Sequence, residues 1–300
     1  MDIRYVKREE IDRLKWDSCV HYAINGNIFG YSWFLDNVAK QWDGLVEGDY
    51  ESVFPLVYRR SGLIPSLELF QPPLMRAMGI YSVNILSPAR IRHFLEAIPD
   101  RFRKVDIRLN DRNRPPRESA FSFTAIDNHR LPLNRPYDLI AGQYADDLSE
   151  LLEAASRRGL KITSSLRPEK VAGFYRKHSR ERRHLTHNFH ALQRIMYNAL
   201  HRGRGFASGV MDEAGELCSV DFYLYSHDSV LSLCPVSSPA GRARGALAFQ
   251  TDMLIRTHTS RPIMLDFNSG EQGPHQPRQF GARKTTYYQM TANKRFLGIY

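Results

Sequence analysis

The second half of the chain alternates apolar runs with polar turns in a way that predicts a sheet. Residues 206–211 and 217–225 are apolar runs on either side of the polar turn 212–216, which is typical of a β-hairpin. Elsewhere in this half, apolar residues recur every three or four positions, the spacing of helices that bury one face. The remaining predicted elements are strands at 160–162, 230–236, 262–267 and 284–290, and helices at 168–176, 182–202 and 246–258.

The first half repeats this order of elements. A strand at 3–6 leads into a helix from Glu9, and a helix over 28–39 precedes a hairpin that turns at Glu47-Gly48-Asp49. The other predicted elements are strands at 50–58, 67–69, 80–81 and 104–109, a Pro-initiated helix at 88–98, extended segments at 119–127 and 128–133, and a mostly helical stretch at 137–158. The sequence therefore predicts an α+β protein of two domains, residues 1–140 and 141–300, with a repeated order of elements.

Length and charge narrow the class of protein. The chain has 300 residues, enough for two cores of ordinary domain size. Lys and Arg number 42 against 32 Asp and Glu, so the formal net charge is +10. This charge favours anionic partners such as nucleotides, phosphorylated intermediates, RNA or acidic membranes, although a solvated basic surface explains it equally well. A nucleic-acid-binding function would rest on this charge alone.

The sequence also indicates a compartment. No apolar run approaches the about 20 residues that a membrane helix needs, and the chain opens on no apolar signal segment. We therefore expect no transmembrane segment and a cytoplasmic location. Cys19, Cys218 and Cys234 have no CxxC spacing, so we expect reduced, mostly buried thiols.

Two loops of the second half carry the candidate chemistry. Residues 237–247 contain Arg242 and Arg244 and lead into a helix, and backbone N–H groups at a helix N-terminus bind phosphate. A plain turn is the alternative for this loop. Residues 266–270 follow a buried strand, where polar groups such as Asp266 and Asn268 often point into a site. An ordinary strand exit, with Asp266 paired to an arginine, is the alternative there.

A basic segment at 176–190 predicts either a positively charged groove for a phosphate-bearing substrate or a solvated basic face. Its histidines at 184, 187 and 190 drift around the helix and lack the i, i+4 pair with an acid that helix-borne zinc sites use. We therefore expect no metal site.

Several segments resemble a known family over nearly the whole chain. They are 144–162, 241–247, Asp266-Phe267-Asn268-Ser269-Gly270, Phe280-Gly281-Ala282 and, in the first half, 28–43 and 48–56. These segments look like the Fem-type peptidoglycan aminoacyltransferases and their uncharacterised acetyltransferase relatives. The resemblance implies two tandem GNAT-like (acyl-CoA N-acyltransferase) domains, each a mixed twisted sheet flanked by helices. The first domain would be degenerate and the second would hold the acyl donor.

The resemblance further implies that an amine attacks an activated acyl carbonyl, with either acyl-CoA or aminoacyl-tRNA as the donor. The acceptor would be an anionic small molecule or a nucleotide-linked, cell-wall-precursor-like substrate. Asp221 or Asp266 would take the amine proton, and Tyr287 or Tyr288 would donate one. The cofactor-binding residues would be Val236, Arg242, Arg244, Gly245 and Ala246, and the substrate-binding residues Arg176, Arg180, Arg183 and Asn268.

Two departures from the family pattern leave a second function open. Leu247 stands where the phosphate loop expects a small residue, and Asn268 stands where relatives carry a glutamate. The alternative is a non-catalytic protein that keeps the fold to bind an anionic ligand or a protein partner. The sequence has no Ser-His-Asp elbow, P-loop or dinucleotide glycine fingerprint, which excludes the hydrolase, kinase and dehydrogenase classes.

Overall fold

The computed structural model describes residues 2–61, 66–179, 182–270 and 273–293. The chain forms two compact units: the first takes in Met1–Ile126 and Thr286–Tyr300, and the second Asp127–Thr285. The predicted domain limits at 140 and 141 stay a prediction. Among the helices that the structure describes, none is both long enough and apolar enough to span a bilayer.

The first unit is a mixed sheet with helices. Its strands are β1 (Ile3–Val6), β2 (Trp42–Glu47), β3 (Ser52–Ser61), β4 (Ser66–Phe70), β5 (Tyr81–Ser82), β6 (Phe102–Leu109) and the later part of β14 (Arg283–Asn293), and its helices are α1 (Arg13–Tyr22), α2 (Ser32–Val38) and α3 (Pro88–Glu96). The strand order is β1-β2-β3-β4-β6-β14, with β5 on β3. Only β4 and β6, among these described pairs, run parallel.

Local sequence explains where the helices of this unit begin. The Asp12 side chain accepts hydrogen bonds from the first-turn amides of α1, and Ser87 caps α3 immediately before Pro88. Both are preferred residues at a helix start, because they satisfy amides that have no partner within the helix. Trp16 of α1 then packs on Trp42 of β2, with ring centroids 5.2 Å apart in the core.

The second unit has a sheet of the same design. Its strands are β7 (Ser122–Pro132), β8 (Lys161–Thr163), β9 (Gly205–Met211), β10 (Leu217–Ser226), β11 (Ser229–Ser232), β12 (Val236–Ser237) and β13 (Met264–Asp266), and its helices are α4 (Tyr137–Ala141), α5 (Asp146–Arg157), α6 (Pro168–His178), α7 (Arg182–His201), α8 (Pro239–Ala243) and α9 (Ala246–His258). The strand order is β8-β9-β10-β11-β13-β7, with β12 on β10. Here β11 and β13 form the parallel pair, and the other described pairs are antiparallel.

The two sheets therefore share one pattern: four antiparallel strands, one parallel neighbour, and a sixth antiparallel strand. The repeated order of elements along the sequence predicts this likeness. In each unit the sixth strand is separated along the sequence from the other five. In the first unit it is β14, which follows the second unit along the chain, and in the second unit it is β7, which precedes the other strands of that unit. In the second unit, α5 and α9 cover a core of aliphatic and aromatic side chains on one face of the sheet.

Three local predictions need correction. The sequence predicts a loop within 237–247, whereas Ser238 caps a short helix there, α8, with Pro239 in its first turn. The two extended segments at 119–133 form one continuous strand, β7. The helical stretch 137–158 is two helices, because α4 ends at Gly142 before α5 starts.

Candidate functional site

The second sheet opens where its parallel pair ends. β11 pairs with β13 from Ser229↔Met264 to Leu231↔Asp266 and no further. Beyond that point one chain segment stays on β10, because Val236 pairs with Val220, while the other follows β7, because Phe267 N donates to His129 O at 3.1 Å. The two strands thus lead in different directions after Leu231 and Asp266. We call this place the strand opening.

Asn268 bridges the strand opening. Its backbone N–H donates to Oδ1 of Asp266 at 2.8 Å, and its φ is +52°, a left-handed conformation that asparagine tolerates better than most residues. Its side-chain Nδ2 donates to the carbonyl oxygen of Ser232 at 3.1 Å. The Asn268 amide therefore supplies to β11 the hydrogen bond that a continuing strand would have supplied.

Asp266 is held in place on both of its oxygens. Oδ1 accepts hydrogen bonds from the Asn268 backbone and, at 2.9 Å, from Nδ2 of Asn128. Oδ2 accepts from Nε of Arg130 at 2.7 Å, across the β13–β7 pair. Because the carboxylate is buried and carries these three bonds, its evident task is to fix the edge of the strand opening.

Asp221 is fully buried in β10 and holds the irregular connection from β11 to β12. Its Oδ1 accepts hydrogen bonds from Phe222 N at 2.7 Å and from Cys234 N at 2.9 Å, and its Oδ2 accepts from the Ser232 hydroxyl at 2.5 Å. Burial raises the pKa of the Cys234 thiol, and the nearby Asp221 carboxylate raises it further. The expectation that the cysteines are mostly buried is confirmed, because Cys19, Cys218 and Cys234 are all buried.

His275 completes a buried polar chain that sequence analysis did not identify. Its Nε2 lies 2.8 Å from the Ser232 hydroxyl, and its Nδ1 lies 2.9 Å from the Thr251 hydroxyl of α9. The Asp221 carboxylate is 3.5 Å from Nε2. These residues come from two strands, a helix and a loop, so no short motif in the sequence could have indicated them.

The predicted phosphate loop is tightly packed against β10. A methyl group on Gly241 would lie 2.0 Å from the Cys218 carbonyl oxygen. The exposed Arg242 donates to Ser237 O at 2.8 Å, whereas Arg244 forms an ion pair with Asp212. Backbone N–H donation from Glu216, followed by the Arg244 guanidinium, lowers the pKa of Asp212. Arg242 is thus the better placed of the two arginines to meet an anion.

The other residues predicted to bind the acyl donor, Val236, Gly245 and Ala246, are buried. Gly245 caps α9 with a φ of +71°, and Ala246 begins that helix with no exposed surface. Val236 is buried in β12. The structure therefore gathers Asp221, Asp266, Asn268 and the predicted donor-binding residues within the second unit, although their roles stay predictions.

Of the other predicted site residues, the structure describes Tyr287 and Arg176 in full. Tyr287 lies in β14, in the first unit, where the Arg76 guanidinium is 5.9 Å from its ring. Arg176 is exposed on α6, with its guanidinium 4.2 Å from the Phe189 ring of α7. Arg180 lies outside the described residues, and Arg183 is described only as part of the α7 backbone. Within the described part of the chain, no group of three or more His, Cys, Asp or Glu side chains is arranged to hold a metal ion.

The fold is that of two tandem GNAT-like domains, and it is also similar to the fold of FemX. The structure is similar to FemX, with a TM-score of 0.63 and 11% identity over 98% of both chains. It is also similar to a tandem GNAT protein from the clavulanic acid biosynthesis pathway, with a TM-score of 0.54 and 12% identity over 98% of this chain and 99% of that one. A third similar structure is L-PGS from Bacillus licheniformis, with a TM-score of 0.53 and 11% identity over 95% and 93% of the two chains. No protein-family model and no curated protein matches the sequence.

Proposed function

We propose that the protein is an acyl- or aminoacyltransferase that joins an acyl group to an amine of a phosphorylated or cell-wall-precursor-like substrate. The strand opening after Leu231 and Asp266 carries this proposal, because two neighbouring parallel strands stop pairing there and polar side chains lie beside that point. In the reaction, the amine nitrogen bonds to the acyl carbon as the thioester C–S or ester C–O bond breaks. The amine loses a proton and the leaving group gains one.

The acyl donor in this proposal is acyl-CoA or aminoacyl-tRNA, and both are anionic. The formal net charge of +10 and the exposed Arg242 beside α9 favour such a donor. Among the similar structures, that of the tandem GNAT protein is of a form without acetyl-CoA, which makes acetyl-CoA the first donor to test. A cytoplasmic location, where either donor is made available to a transferase, is part of the same proposal.

Calorimetry with the purified full chain tests the donor. We expect saturable binding of acetyl-CoA or of one aminoacyl-tRNA, and we expect Arg242→Ala to weaken it. Deacylated tRNA is the control for binding by charge alone, because purely electrostatic binding does not depend on the acyl group. Such binding also weakens steeply as the salt concentration rises. Binding to neither donor would overturn the proposal.

A non-catalytic binding protein is the second candidate, and one observation favours it. Asp221 and Asp266, the predicted proton acceptors, are buried and bonded internally on both oxygens. Each carboxylate already accepts three internal hydrogen bonds, whereas a general base needs a lone pair directed at the substrate. The rate of hydroxamate formation with hydroxylamine, a general acyl acceptor, separates the candidates: a transferase raises this rate above that of the protein-free reaction, and a binding protein does not.

A further inference from the structure

Three buried polar atoms at the strand opening have no hydrogen-bond partner among the described residues: Nε2 of His129, Oδ1 of Asn268 and Oγ of Ser269. His129 belongs to β7 and is completely buried. Its other ring nitrogen, Nδ1, lies 3.4 Å from the carbonyl oxygen of Ser269, the residue after Asn268. An unpartnered buried polar atom is costly, so three of them on β7 and on the segment that follows β13 call for an explanation.

The existing contacts decide which of these atoms accept hydrogen bonds. A carbonyl oxygen can only accept, so Nδ1 of His129 carries the proton in its contact with Ser269 O. In the neutral ring this leaves Nε2 with a bare lone pair. By the same argument, donation from Asn268 Nδ2 to Ser232 O fixes the orientation of the amide and leaves Oδ1 as an acceptor.

Both side chains therefore offer an acceptor atom that could bind a group with N–H donors. We propose that His129 and Asn268 bind the acceptor amine, a primary amine or ammonium group, at the strand opening. This inference rests on the proposed transferase function and adds to it a residue pair for the substrate that supplies the nitrogen.

The arrangement also provides a place for the proton that the amine must lose. An acceptor that arrives as ammonium first releases one proton to solvent, which frees the lone pair of its nitrogen. As this nitrogen bonds to the acyl carbon and the C–O or C–S bond breaks, the second amine proton passes to Nε2 of His129, and the imidazolium then returns a proton to the departing oxygen or sulfur. The buried carboxylates of Asp221 and Asp266 need not change protonation in this scheme. His129 would then be a catalytic residue, and Asn268 would orient the amine.

Nitrogen-15 NMR of the full chain, labelled at histidine, tests the inference with simple probes. Methylammonium chloride supplies an N–H donor, and tetramethylammonium chloride matches its charge without one. We expect methylammonium to shift the Nε2 resonance of His129 saturably and tetramethylammonium to leave it in place. Equal shifts with both salts, or none with either, would overturn the inference and would mean that ordered water alone occupies these atoms.

Variants provide the second measurement. We expect His129→Phe to raise the dissociation constant of methylammonium, measured by calorimetry, about tenfold. This is the effect of losing one hydrogen bond to a charged group. His129→Gln, which can present an oxygen acceptor, should recover part of the loss. His258→Gln is the matched control, since His258 is also a buried histidine but has partners on both ring nitrogens.

Failure of this inference can be distinguished from failure of the proposed function. If acetyl-CoA or aminoacyl-tRNA binds and is consumed with an amine, but His129→Phe turns over at the rate of the His258→Gln control, the amine site is wrong and the transferase function stands. If neither donor binds, the transferase function fails whatever the NMR result.

Discussion

Nε2 of His275 lies 2.8 Å from the Ser232 hydroxyl, although the two residues are 43 positions apart in the sequence. The contact connects the loop that follows β13 to the buried end of β11. Because Ser232 also donates to Asp221, one hydroxyl ties together the loop, the strand and the carboxylate that supports the strand opening.

Ser232→Ala should lower the free energy of unfolding by about 1–3 kcal/mol, because the buried side chains of Asp221 and His275 each lose the Ser232 hydroxyl as a hydrogen-bond partner. Urea denaturation measures this change. Ser237→Ala is the matched control: its hydroxyl is buried in neighbouring β12 without a partner among the described residues, so removing it should be neutral or stabilising. Equal losses in the two variants would contradict the role assigned to Ser232.

His258 should make stability depend on pH on the acid side. Burial lowers the pKa of His258 below its usual value of 6.5, so below that pH the unfolded chain binds a proton that the folded chain resists. The free energy of unfolding should therefore be constant with respect to this group at higher pH and should fall as pH drops below 6.5. Its neutral form fits the structure, since Nδ1 faces the Leu254 carbonyl and Nε2 faces the Tyr225 hydroxyl.

Thermal melts between pH 7.5 and 5 check this dependence when the protein is compared with His258→Phe. The difference in melting temperature between the two proteins should change with pH in that interval. A constant difference across it would show that His258 does not contribute to the acid sensitivity.

Arg242 and Arg244 should differ in their effect on donor binding. Arg242 is exposed, whereas Arg244 is engaged by Asp212. We expect Arg242→Ala to weaken binding of the anionic donor by about tenfold, the value of one charge-assisted hydrogen bond, and Arg244→Ala to have a smaller effect. The two dissociation constants, measured at one salt concentration, decide the question, and a larger loss for Arg244→Ala would reverse the assignment.

Two helical glycines should respond to alanine in opposite directions. Gly241→Ala should destabilise the fold by at least about 2 kcal/mol, because the added methyl group would meet backbone that has no room to move. Gly173→Ala, in α6, should stabilise it by about 0.5–1 kcal/mol, since nothing lies within 4 Å of the new methyl group. Denaturant midpoints of the two variants provide the comparison, and a tolerated alanine at 241 would mean that α8 can shift away from β10.

Elements whose signals are local could be predicted from sequence. The helix predicted at 246–258 is α9 as observed, and the hairpin predicted around Gly215 is β9 and β10 within a residue or two. Amphipathic spacing and turn residues carry that information within one segment. The short helix α8 escapes prediction because its Ser-Pro start also suits a turn.

The polar contacts of the site could be predicted only in part. The sequence identifies Asp221, Asp266 and Asn268 as candidates, because they lie in a predicted strand or directly after one. Ser232, Thr251, His275 and His129 do not, because each acquires its role through a partner distant in the sequence. Pairing of Asp266 with an arginine is one of the two predicted alternatives, but the partner, Arg130, is 136 residues away and is identified only by the register of β13 against β7.

The place of β14 has a consequence for the order in which the protein can mature on the ribosome. β6 of the first unit has β4 on one side and β14 on the other, and β14 is completed only at Asn293. Until that stretch has been synthesised, β6 presents an open edge of unpaired amides and carbonyls, the kind of edge that recruits strands from other chains. Residues up to Asn293 must therefore be synthesised before this edge of the first unit is protected against mispairing.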